Sequence, residues 1–324
     1  MIKERILVIG GAGFIGSHTV DLLLQEGYRV RVLDNFSTGC RENLPASHPG
    51  LEVVTGDIAN PLLWEPVMDD VDGILHFAAQ VSVQKSIENP VRSCAENIQN
   101  FVVVLELARK RGVRVVYASS AAVYGDPQIL PLRESDPVAP ISPYGLEKYS
   151  NELYARLYEQ MYDLSHMGLR YFNVYGPRQD PRSPYSGVIS RFVEQLRLRE
   201  PLTIRGDGLQ ERDFIHVFDV ARVNVAALFA GDNGVINIGS GIATSIRQLA
   251  TTMCALHGSG DFSWVPALPG DIRHSQADVR VMNSRLGAAQ VSFSDGLRQF
   301  LGTMGLTVGR GAAVVHSSPQ ISAS

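Results

Sequence analysis

Short apolar runs alternate with helical patterns through the first half of the chain. The runs RILVIG, YRVRVLD, LEVVTGD, GILHFAA, VRVVYASS and MGLRYFNVYG are suited to buried strands. Helical patterns lie between several of them, for example at residues 14–26 and 90–111. Strands separated by helices are typical of βαβ units and of a parallel sheet buried on both faces. We therefore predict a doubly wound, Rossmann-type α/β fold.

The pattern changes after about residue 175. The segment GPRQDPRSPYSG, rich in Gly, Pro and Arg, precedes a helical stretch at 187–199, and strand and helix patterns return in DFIHVFDVARVNVAALFA and GVINIGSG. We predict a first domain at 1–175 with returning segments near 213–240, and a smaller interleaved domain at 176–301. Residues 302–324 show no sustained period and are rich in Gly, Ala and Ser, so we expect a loose tail.

The composition is that of an ordinary globular protein. The 324 residues are 45% hydrophobic and 19% charged, which is enough apolar surface for a full core. The net charge is −4 and no stripe of Lys and Arg stands out. We therefore expect a small-molecule partner and no nucleic acid.

The spacing of the cysteines and the length of the apolar runs indicate in which cellular compartment the protein is expected. Cys40, Cys94 and Cys254 are odd in number and widely spaced, which predicts neither a disulfide framework nor a zinc site. A strand pattern begins within about five residues of the start, and no apolar run reaches about 18 residues, so we predict no signal peptide and no membrane span. We expect a soluble cytoplasmic protein with reduced thiols and no metal.

The glycine-rich segment VIGGAGFIGSH places Gly10, Gly13 and Gly16 after the first strand and at the start of a helix. Glycines there permit a tight turn and close approach of backbone N–H groups to a pyrophosphate. Asp34 ends the second strand about 20 residues later, where a carboxylate can accept hydrogen bonds from a ribose diol and repel a 2′-phosphate. This pattern favours NAD over NADP. Asp57 follows the third strand and either reaches the adenine or caps the next turn.

Tyr144 and Lys148 lie four residues apart in SPYGLEKYS, which starts with Ser-Pro, a helix-capping signal. By itself, such a pair is typical of a helix surface. Beside a nicotinamide it has a second interpretation, because a phenol becomes a base at neutral pH if its pKa falls by about 3 units, roughly 4 kcal/mol. A lysine on the same helical face and a positive ring favour that shift.

The segment YASSAAVYG supplies hydroxyl groups near this helix. Ser119 and Ser120 follow a predicted strand at its carboxyl end, where doubly wound sheets bind ligands. A serine at this position can shuttle a proton or hold the reacting oxygen.

Several separate stretches carry a family resemblance. In chain order they are GGAGFIGSH, HFAA, SSAAVYG, YGLEK, RYFNVYGPRQ and RDFIHV. They resemble the extended short-chain dehydrogenase/reductase family, of the NAD-dependent epimerase/dehydratase type, and most closely its UDP-hexose 4-epimerases. The resemblance covers residues 5–301.

The resemblance implies a catalytic set and a reaction. Tyr144 would be the base, Lys148 would lower its pKa and hold the nicotinamide ribose, and Ser120 would lie next to the sugar 4-hydroxyl. The implied reaction oxidises C4 transiently, turns the 4-keto sugar and returns hydride to its other face. The residues implied in NAD binding, besides Tyr144 and Lys148, are Gly10, Gly13, Phe14, Ile15, Gly16, Asp34, Asn35, Asp57, Ile58, Phe77, Ala78, Ala79, Gln80 and Asn97.

Related reactions of the same family need further proton-transfer groups. In 4,6-dehydratases the corresponding loop carries Asp-Glu after its Ser or Thr, and decarboxylating relatives keep a Glu. Here these positions hold Ala121 and Ala122, which transfer no proton. We therefore predict epimerisation; a reductase, a UDP-glucuronate 4-epimerase and a catalytically silent NAD-binding regulator remain alternatives.

The resemblance also assigns the nucleotide-sugar contacts. Asn173 would contact the diphosphate or sugar and Arg212 would pair with the diphosphate, since a guanidinium matches phosphate oxygens. Leu268 stands where many epimerases carry a second phosphate-binding Arg, and Arg273 either takes over that function or forms a structural salt bridge. Arg178 and Gln179 either contribute to nucleotide-sugar binding or are only solvated in the Pro-rich loop.

Ser275 lies in the segment from Gly270 to Asp278, which resembles the family's final substrate loop. The resemblance implies that Ser275 sets the size of the sugar that the pocket accepts. In similar epimerases a tyrosine at this position admits a 2-hydroxyl but no acetamido group, so a serine implies UDP-N-acetylglucosamine and UDP-N-acetylgalactosamine, with UDP-glucose as a further substrate. The resemblance also implies a homodimer through helices near 90–111 and 142–166, and a role in polysaccharide precursor synthesis.

Overall fold

The computed structural model describes residues 4–180, 187–267 and 272–306. Its strands are β1 (Arg5–Ile9), β2 (Arg29–Asp34), β3 (Leu51–Thr55), β4 (Gly73–His76), β5 (Arg114–Ser120), β6 (His166–Tyr171), β7 (Asn173–Tyr175), β8 (Leu202–Arg205), β9 (Glu211–His216), β10 (Gly234–Ile238), β11 (Ala243–Ser245) and β12 (Phe262–Val265).

Helices connect most of these strands. They are α1 (Phe14–Gln25), α2 (Trp64–Met68), α3 (Val83–Glu88), α4 (Pro90–Cys94), α5 (Asn100–Arg111), α6 (Pro143–Tyr162), α7 (Val188–Leu198), α8 (Val217–Phe229), α9 (Ile246–His257), α10 (Arg280–Arg285) and α11 (Phe293–Thr303). A π-helical segment, Ala95–Gln99, joins α4 to α5.

The main sheet has the strand order β10-β6-β5-β4-β1-β2-β3, and its neighbouring strands are all parallel. One face packs against α1, α8 and α10, and the other packs against α2, α5 and α6. Both faces are therefore buried, as the continuous apolar runs predict. The doubly wound α/β fold predicted from the sequence is confirmed.

A second group of elements stands beside the main sheet. β11, β9 and β7 form one small sheet, and β12 pairs with β8. The helices α7, α9 and α11 enclose a separate apolar cluster with these strands. The predicted strand MGLRYFNVYG is divided after Tyr171, since β6 belongs to the main sheet and β7 to the small one.

The chain crosses between the two groups more than once. β9 lies in the small sheet, α8 packs against α1, and β10 returns to the main sheet beside β6. The domain limits at 175 and 301 stay a prediction. Residues 307–324 of the predicted tail lie outside the described residues, and residues 302–303 end α11.

The described residues contain neither a membrane-spanning helix nor a cluster of metal ligands. None of the helices in these ranges is long and apolar enough to cross a membrane. No group of His, Cys, Asp and Glu within the same ranges could hold a metal ion. The three cysteines are free thiols.

Candidate active site

The glycine loop between β1 and α1 leaves no room for a side chain at Gly10 or at Gly16. Gly10 has φ +81°, and a Cβ there would lie 2.5 Å from the backbone nitrogen of Ala78. A Cβ on Gly16 would lie 2.2 Å from the Gly10 carbonyl oxygen. Gly13 occupies the N-cap of α1 and has no side chain to accept from the first N–H groups, which stay available to an anion. This cradle fits the pyrophosphate of a dinucleotide.

Asp34 braces this loop from the end of β2. One carboxylate oxygen accepts from the backbone N–H of Ala12 at 2.9 Å, and the other accepts from that of Phe36 at 2.8 Å. A carboxylate offers about four acceptor positions, so capacity remains for ribose hydroxyls. The geometry fits the predicted ribose contact.

The residues predicted around the adenine end lie beside Asp34. Asn35 donates to Asp57 at 2.8 Å, and Asp57 also accepts from the backbone N–H of Ala59. Asp57 therefore caps the following turn in addition to facing Asn35. Ile58 is buried in the core against α2 and α5. Its side chain packs as a core residue.

The loop after β4 faces the glycine loop, and the two loops form the walls of a crevice. Phe77 and Ala78 both donate their N–H groups to the Ile9 carbonyl, at 2.8 and 3.0 Å. Asn97 bonds the backbone of Gln80 on both sides, donating to its carbonyl and accepting from its N–H at 2.8 Å each. The crevice lies where β1 and β4 lead to opposite halves of the sheet, the position at which doubly wound folds bind nucleotides. Phe14 and Ile15 begin α1 at this crevice, and Ala79 lies within the loop.

Ser120 ends β5 and meets Tyr144 from the first turn of α6. Ser142 caps this helix by accepting from the N–H of Gly145, and Pro143 occupies its first turn, as SPYG predicts. The Ser120 and Tyr144 side chains line the same pocket, close enough for Ser120 to influence the pKa of the phenol. Burial, with a smaller contribution from the Glu147 charge, raises the pKa of Tyr144 to about 12, against the lowering effect of Ser120. The phenol is therefore protonated at neutral pH in this arrangement.

Lys148 lies one turn further along α6. Its Nζ donates to the Ala118 carbonyl at 3.0 Å and lies 5.8 Å from the centre of the Tyr144 ring. Burial lowers the pKa of Lys148 to about 8, against the raising effect of the Glu147 charge. The ammonium form still predominates at neutral pH and is positioned beside the phenol.

One pocket contains most of the predicted substrate residues. Ser120, Tyr144, Asn173, Arg212 and Ser275 line it together. Ala121 and Ala122 also line it, and its apolar wall includes Val83, Pro127, Leu132 and Phe172. The segments that the sequence places far apart thus meet at the carboxyl end of β5.

Arg273 does not line this pocket. Its guanidinium forms two hydrogen bonds with Asp207, at 2.9 and 2.7 Å, on the exposed surface. This hydrogen-bonded partner lowers the pKa of Asp207 to about 2. Of the two roles considered for Arg273, the geometry favours the structural salt bridge. Leu268 and Gly270 lie outside the described residues.

Two side chains of the Pro-rich loop that precedes residues 181–186, Arg178 and Gln179, are held by contacts with neighbouring elements. Arg178 pairs with Asp21 of α1 at 2.7 Å. Gln179 donates to the Val174 carbonyl and accepts from Ser190. Neither side chain lines the pocket described above.

Behind Ser120 and Tyr144 lies a buried ion pair that the sequence pattern did not predict. Glu152 on α6 and Arg170 on β6 form two hydrogen bonds, at 2.7 and 2.8 Å, and both side chains are buried. Ser119 donates to Glu152 at 2.6 Å, so Ser119 supports the end of β5 while Ser120 faces the pocket. A charged residue inside the apolar strand pattern MGLRYFNV was the available signal.

Asp213 is a second missed residue. Its buried carboxylate accepts four hydrogen bonds, two from Ser240 and one each from the N–H groups of Gly241 and Ala277. It therefore fixes the segment that carries Ser275 to β9, the strand of Arg212. The acidic residue in the otherwise apolar DFIHV was the signal.

The comparisons with known proteins agree with this geometry. A model of the NAD dependent epimerase/dehydratase family matches residues 6–239. The chain belongs to this family. The family and the NAD cofactor predicted from the sequence are confirmed.

Individual relatives cover nearly the whole chain. The UDP-glucose 4-epimerase of Mycolicibacterium smegmatis is 38% identical over 301 residues, which cover 90% of this chain and 96% of the relative. The structure of the UDP-N-acetylglucosamine 4-epimerase of Methanobrevibacter ruminantium, in complex with UDP-N-acetylmuramic acid, has a TM-score of 0.91 and 36% identity, covering 94% of this chain and 99% of that one. The UDP-glucose 4-epimerase of Thermotoga maritima, with UDP-glucose, has a TM-score of 0.88 and 38% identity, covering 93% and 98%.

Proposed function

We propose that the protein is an NAD-dependent UDP-hexose 4-epimerase that interconverts UDP-N-acetylglucosamine with UDP-N-acetylgalactosamine, and also UDP-glucose with UDP-galactose. The observation that carries this proposal is that Ser120 and Tyr144, with Lys148 beside the Tyr144 ring, line one pocket together with Arg212. The relatives named above are UDP-sugar 4-epimerases, which are isomerases.

Each polar residue of the pocket then has a task. Tyr144 takes the proton of the sugar 4-hydroxyl and later returns it, and Ser120 holds the reacting oxygen beside the phenol. Lys148 favours the phenolate through its charge. Arg212 binds the diphosphate, because its guanidinium can match two phosphate oxygens, and Asn173 contacts the diphosphate or sugar.

The cofactor residues are those of the crevice between β1 and β4. Gly10, Gly13 and Gly16 would hold the pyrophosphate, and Asp34 would hold the adenine ribose. When bound, NAD supplies a positive ring that favours the phenolate and a carbon that accepts hydride from C4 of the sugar and gives it back.

Elimination of water is disfavoured by the residues next to Ser120. Ala121 and Ala122 line the pocket, and the described lining contains no Asp, Glu or His. A dehydratase requires a further acid and base at the sugar, and alanine supplies neither. The pocket therefore supports epimerisation.

A neutral hexose fits the pocket better than a glucuronate. Arg212 is the one cation in the described lining, and the diphosphate requires it. A second anionic group among Val83, Pro127, Leu132 and Phe172 would lose hydration without a partner.

The function is tested by incubating the enzyme separately with UDP-glucose, UDP-N-acetylglucosamine and UDP-glucuronate and resolving the products. We expect the 4-epimers of the first two and no product from UDP-glucuronate. Epimerisation of UDP-glucuronate alone would contradict the proposal, and so would a stable 4-keto product.

Ser120→Ala should shift the pH dependence of kcat/KM. Ser120 lowers the pKa of Tyr144, so removal of its hydroxyl raises that pKa. Since the deprotonated phenol is the active base, the ascending limb of the profile should move to higher pH, and the rate at neutral pH should fall about 10- to 100-fold. A lower rate with an unmoved limb would show that Ser120 does not act on the Tyr144 proton.

Ser275→Tyr should abolish turnover of the N-acetylated sugars and spare UDP-glucose. Ser275 lines the pocket with Tyr144, and a phenol ring there would overlap an acetamido group but leave room for a hydroxyl. Steady-state rates with both sugars measure the change, and Ser275→Ala serves as the control that adds no bulk. Equal loss on both sugars would remove Ser275 as the gate.

A homodimer through α5 and α6 is a further part of the proposal. Leu146, Leu153 and Leu157 lie along α6 at helical spacing, and their side chains are exposed in the single chain. Such a stripe favours packing against a second copy.

We expect a dimer in sedimentation at micromolar concentration, and Leu157→Glu should convert it to monomer by placing a charge in the stripe. The matched control Leu198→Glu changes an exposed leucine at the end of α7 and should remain dimeric. A monomeric wild-type protein would remove this part of the proposal. The cytoplasmic location stays a prediction.

A further inference from the structure

A buried carboxylate lies on α6 between the two catalytic residues. Glu147 is 4% exposed and directly precedes Lys148. One of its oxygens, Oε2, accepts from the Ser93 hydroxyl at 2.8 Å and from the Asn97 amide nitrogen at 2.6 Å. A buried carboxylate is tolerated only where such donors replace water. Glu147 therefore joins α6 to the helical segment of residues 90–99.

The Asn97 amide uses all of its donors in this arrangement. Its nitrogen donates one hydrogen to Glu147 and the other to the Gln80 carbonyl, and its oxygen accepts from the Gln80 N–H. An amide nitrogen has two hydrogens, so none is left for another partner. Asn97 thus fixes the Gln80 backbone on both sides and is itself held by Glu147.

Ser93 provides a second hydrogen-bonded connection between Glu147 and Gln80. The Gln80 side-chain nitrogen donates to the Ser93 hydroxyl oxygen at 3.2 Å, and Ser93 donates to Glu147. Ser93 and Asn97 are almost fully buried. Both connections from Glu147 therefore end at Gln80.

Gln80 lies in the loop between β4 and α3, which faces the glycine loop. Ala78, two residues earlier, lies against Gly10 and is bonded to the Ile9 carbonyl. A shift of Gln80 would therefore move the wall of the dinucleotide crevice.

We propose that Glu147 is a positioning residue that locks the Gln80 wall of the NAD crevice to the catalytic helix through Asn97 and Ser93. The inference rests on the NAD cofactor of the proposed function and not on the identity of the sugar. Because NAD affinity is its readout, a failure to epimerise any tested sugar leaves this test intact.

Glu147→Ala should weaken NAD binding about tenfold, because one buried hydrogen of the Asn97 amide loses its acceptor and the Gln80 wall loosens. Glu147→Gln retains an oxygen that accepts from both Ser93 and Asn97, so it should bind NAD within about twofold of wild type. The NAD dissociation constant is measured by calorimetry on NAD-free protein, and the retained NAD is measured after dialysis.

Glu159→Ala is the matched control for a general loss of helix stability. Glu159 lies about 18 Å further along α6 and also holds two partners, His166 and Asn233. This variant should lower the melting temperature but leave NAD affinity unchanged.

The link through Asn97 is tested by a double variant. If Glu147 acts through Asn97 and Ser93, then Glu147→Ala combined with Asn97→Ala should weaken NAD binding by less than the sum of the two single effects, because in the Asn97→Ala background Glu147→Ala breaks only the Ser93 connection. The proposal is overturned if Glu147→Ala binds NAD like wild type, if Glu147→Gln loses as much affinity as Glu147→Ala, or if the two alanine effects add.

Discussion

Tyr144→Phe should lower turnover about 10²- to 10⁴-fold while NAD remains bound. The substitution removes only the phenol hydroxyl of a residue that lines the pocket with Ser120, and it keeps the ring. The backbone N–H of Tyr144 still donates to Ser86, and Lys148 still donates to Ala118, so the start of α6 keeps its position. The loss should therefore appear in kcat, because the missing proton acceptor acts in the reaction and not in binding.

Steady-state kinetics and the NAD content of the purified variant measure this effect together. Tyr154→Phe is the matched control, since Tyr154 is an exposed phenol on the same helix and should turn over like wild type. Near-normal turnover of Tyr144→Phe would show that the assigned base is wrong.

Arg170→Met should destabilise the fold by about 3–5 kcal/mol, because it leaves the Glu152 charge buried without its partner. Arg170 donates twice to Glu152 and once to the Tyr124 hydroxyl, and Tyr124 in turn donates to Asn237 on β10. The substitution therefore leaves unpaired groups on α6 and beside β5. The loss is measured as the change in the free energy of unfolding in urea, with NAD at the same saturation throughout.

The matched control is Arg197→Met. Arg197 also forms two hydrogen bonds with a glutamate, Glu194, but this pair lies on the surface of α7, where water replaces the lost contact. The free energy of unfolding should fall much less in this control than in Arg170→Met. The double variant Arg170→Met with Glu152→Leu should recover part of the stability, because no charge is then left buried. Equal effects of the buried and surface substitutions would contradict this account.

The parts of the site that could be predicted from the sequence are those with a local cause. Gly16 is needed because a Cβ there would collide with the Gly10 carbonyl oxygen six residues earlier, and Gly10 is favoured by its own φ of +81°. The spacing of Tyr144 and Lys148 places them on one face of α6 wherever that helix lies. Such features depend on the backbone geometry of a few consecutive residues.

Other predictions needed contacts that a local pattern does not contain. Arg273 was considered for the diphosphate, but its partner Asp207 is 66 residues away in the chain. The apparent strand MGLRYFNVYG looks continuous, yet β7 pairs with β9 and β6 pairs with β5 and β10. Pairing partners decide to which sheet a strand belongs, and apolar periodicity does not name them.

The amino-acid sequence alone determined the doubly wound fold, because turn chemistry, helical spacing and apolar runs express it locally. The NAD crevice was predicted from the glycine pattern, and the proposed catalytic set of Ser120, Tyr144 and Lys148 was predicted from the family resemblance. Only the tertiary structure decided which distant side chains support that set. Glu152 meets Arg170, and Glu147 meets Asn97, across gaps of 18 and 50 residues. A buried charge is stable only beside a matching group, and which group matches depends on how the helices pack against the sheet.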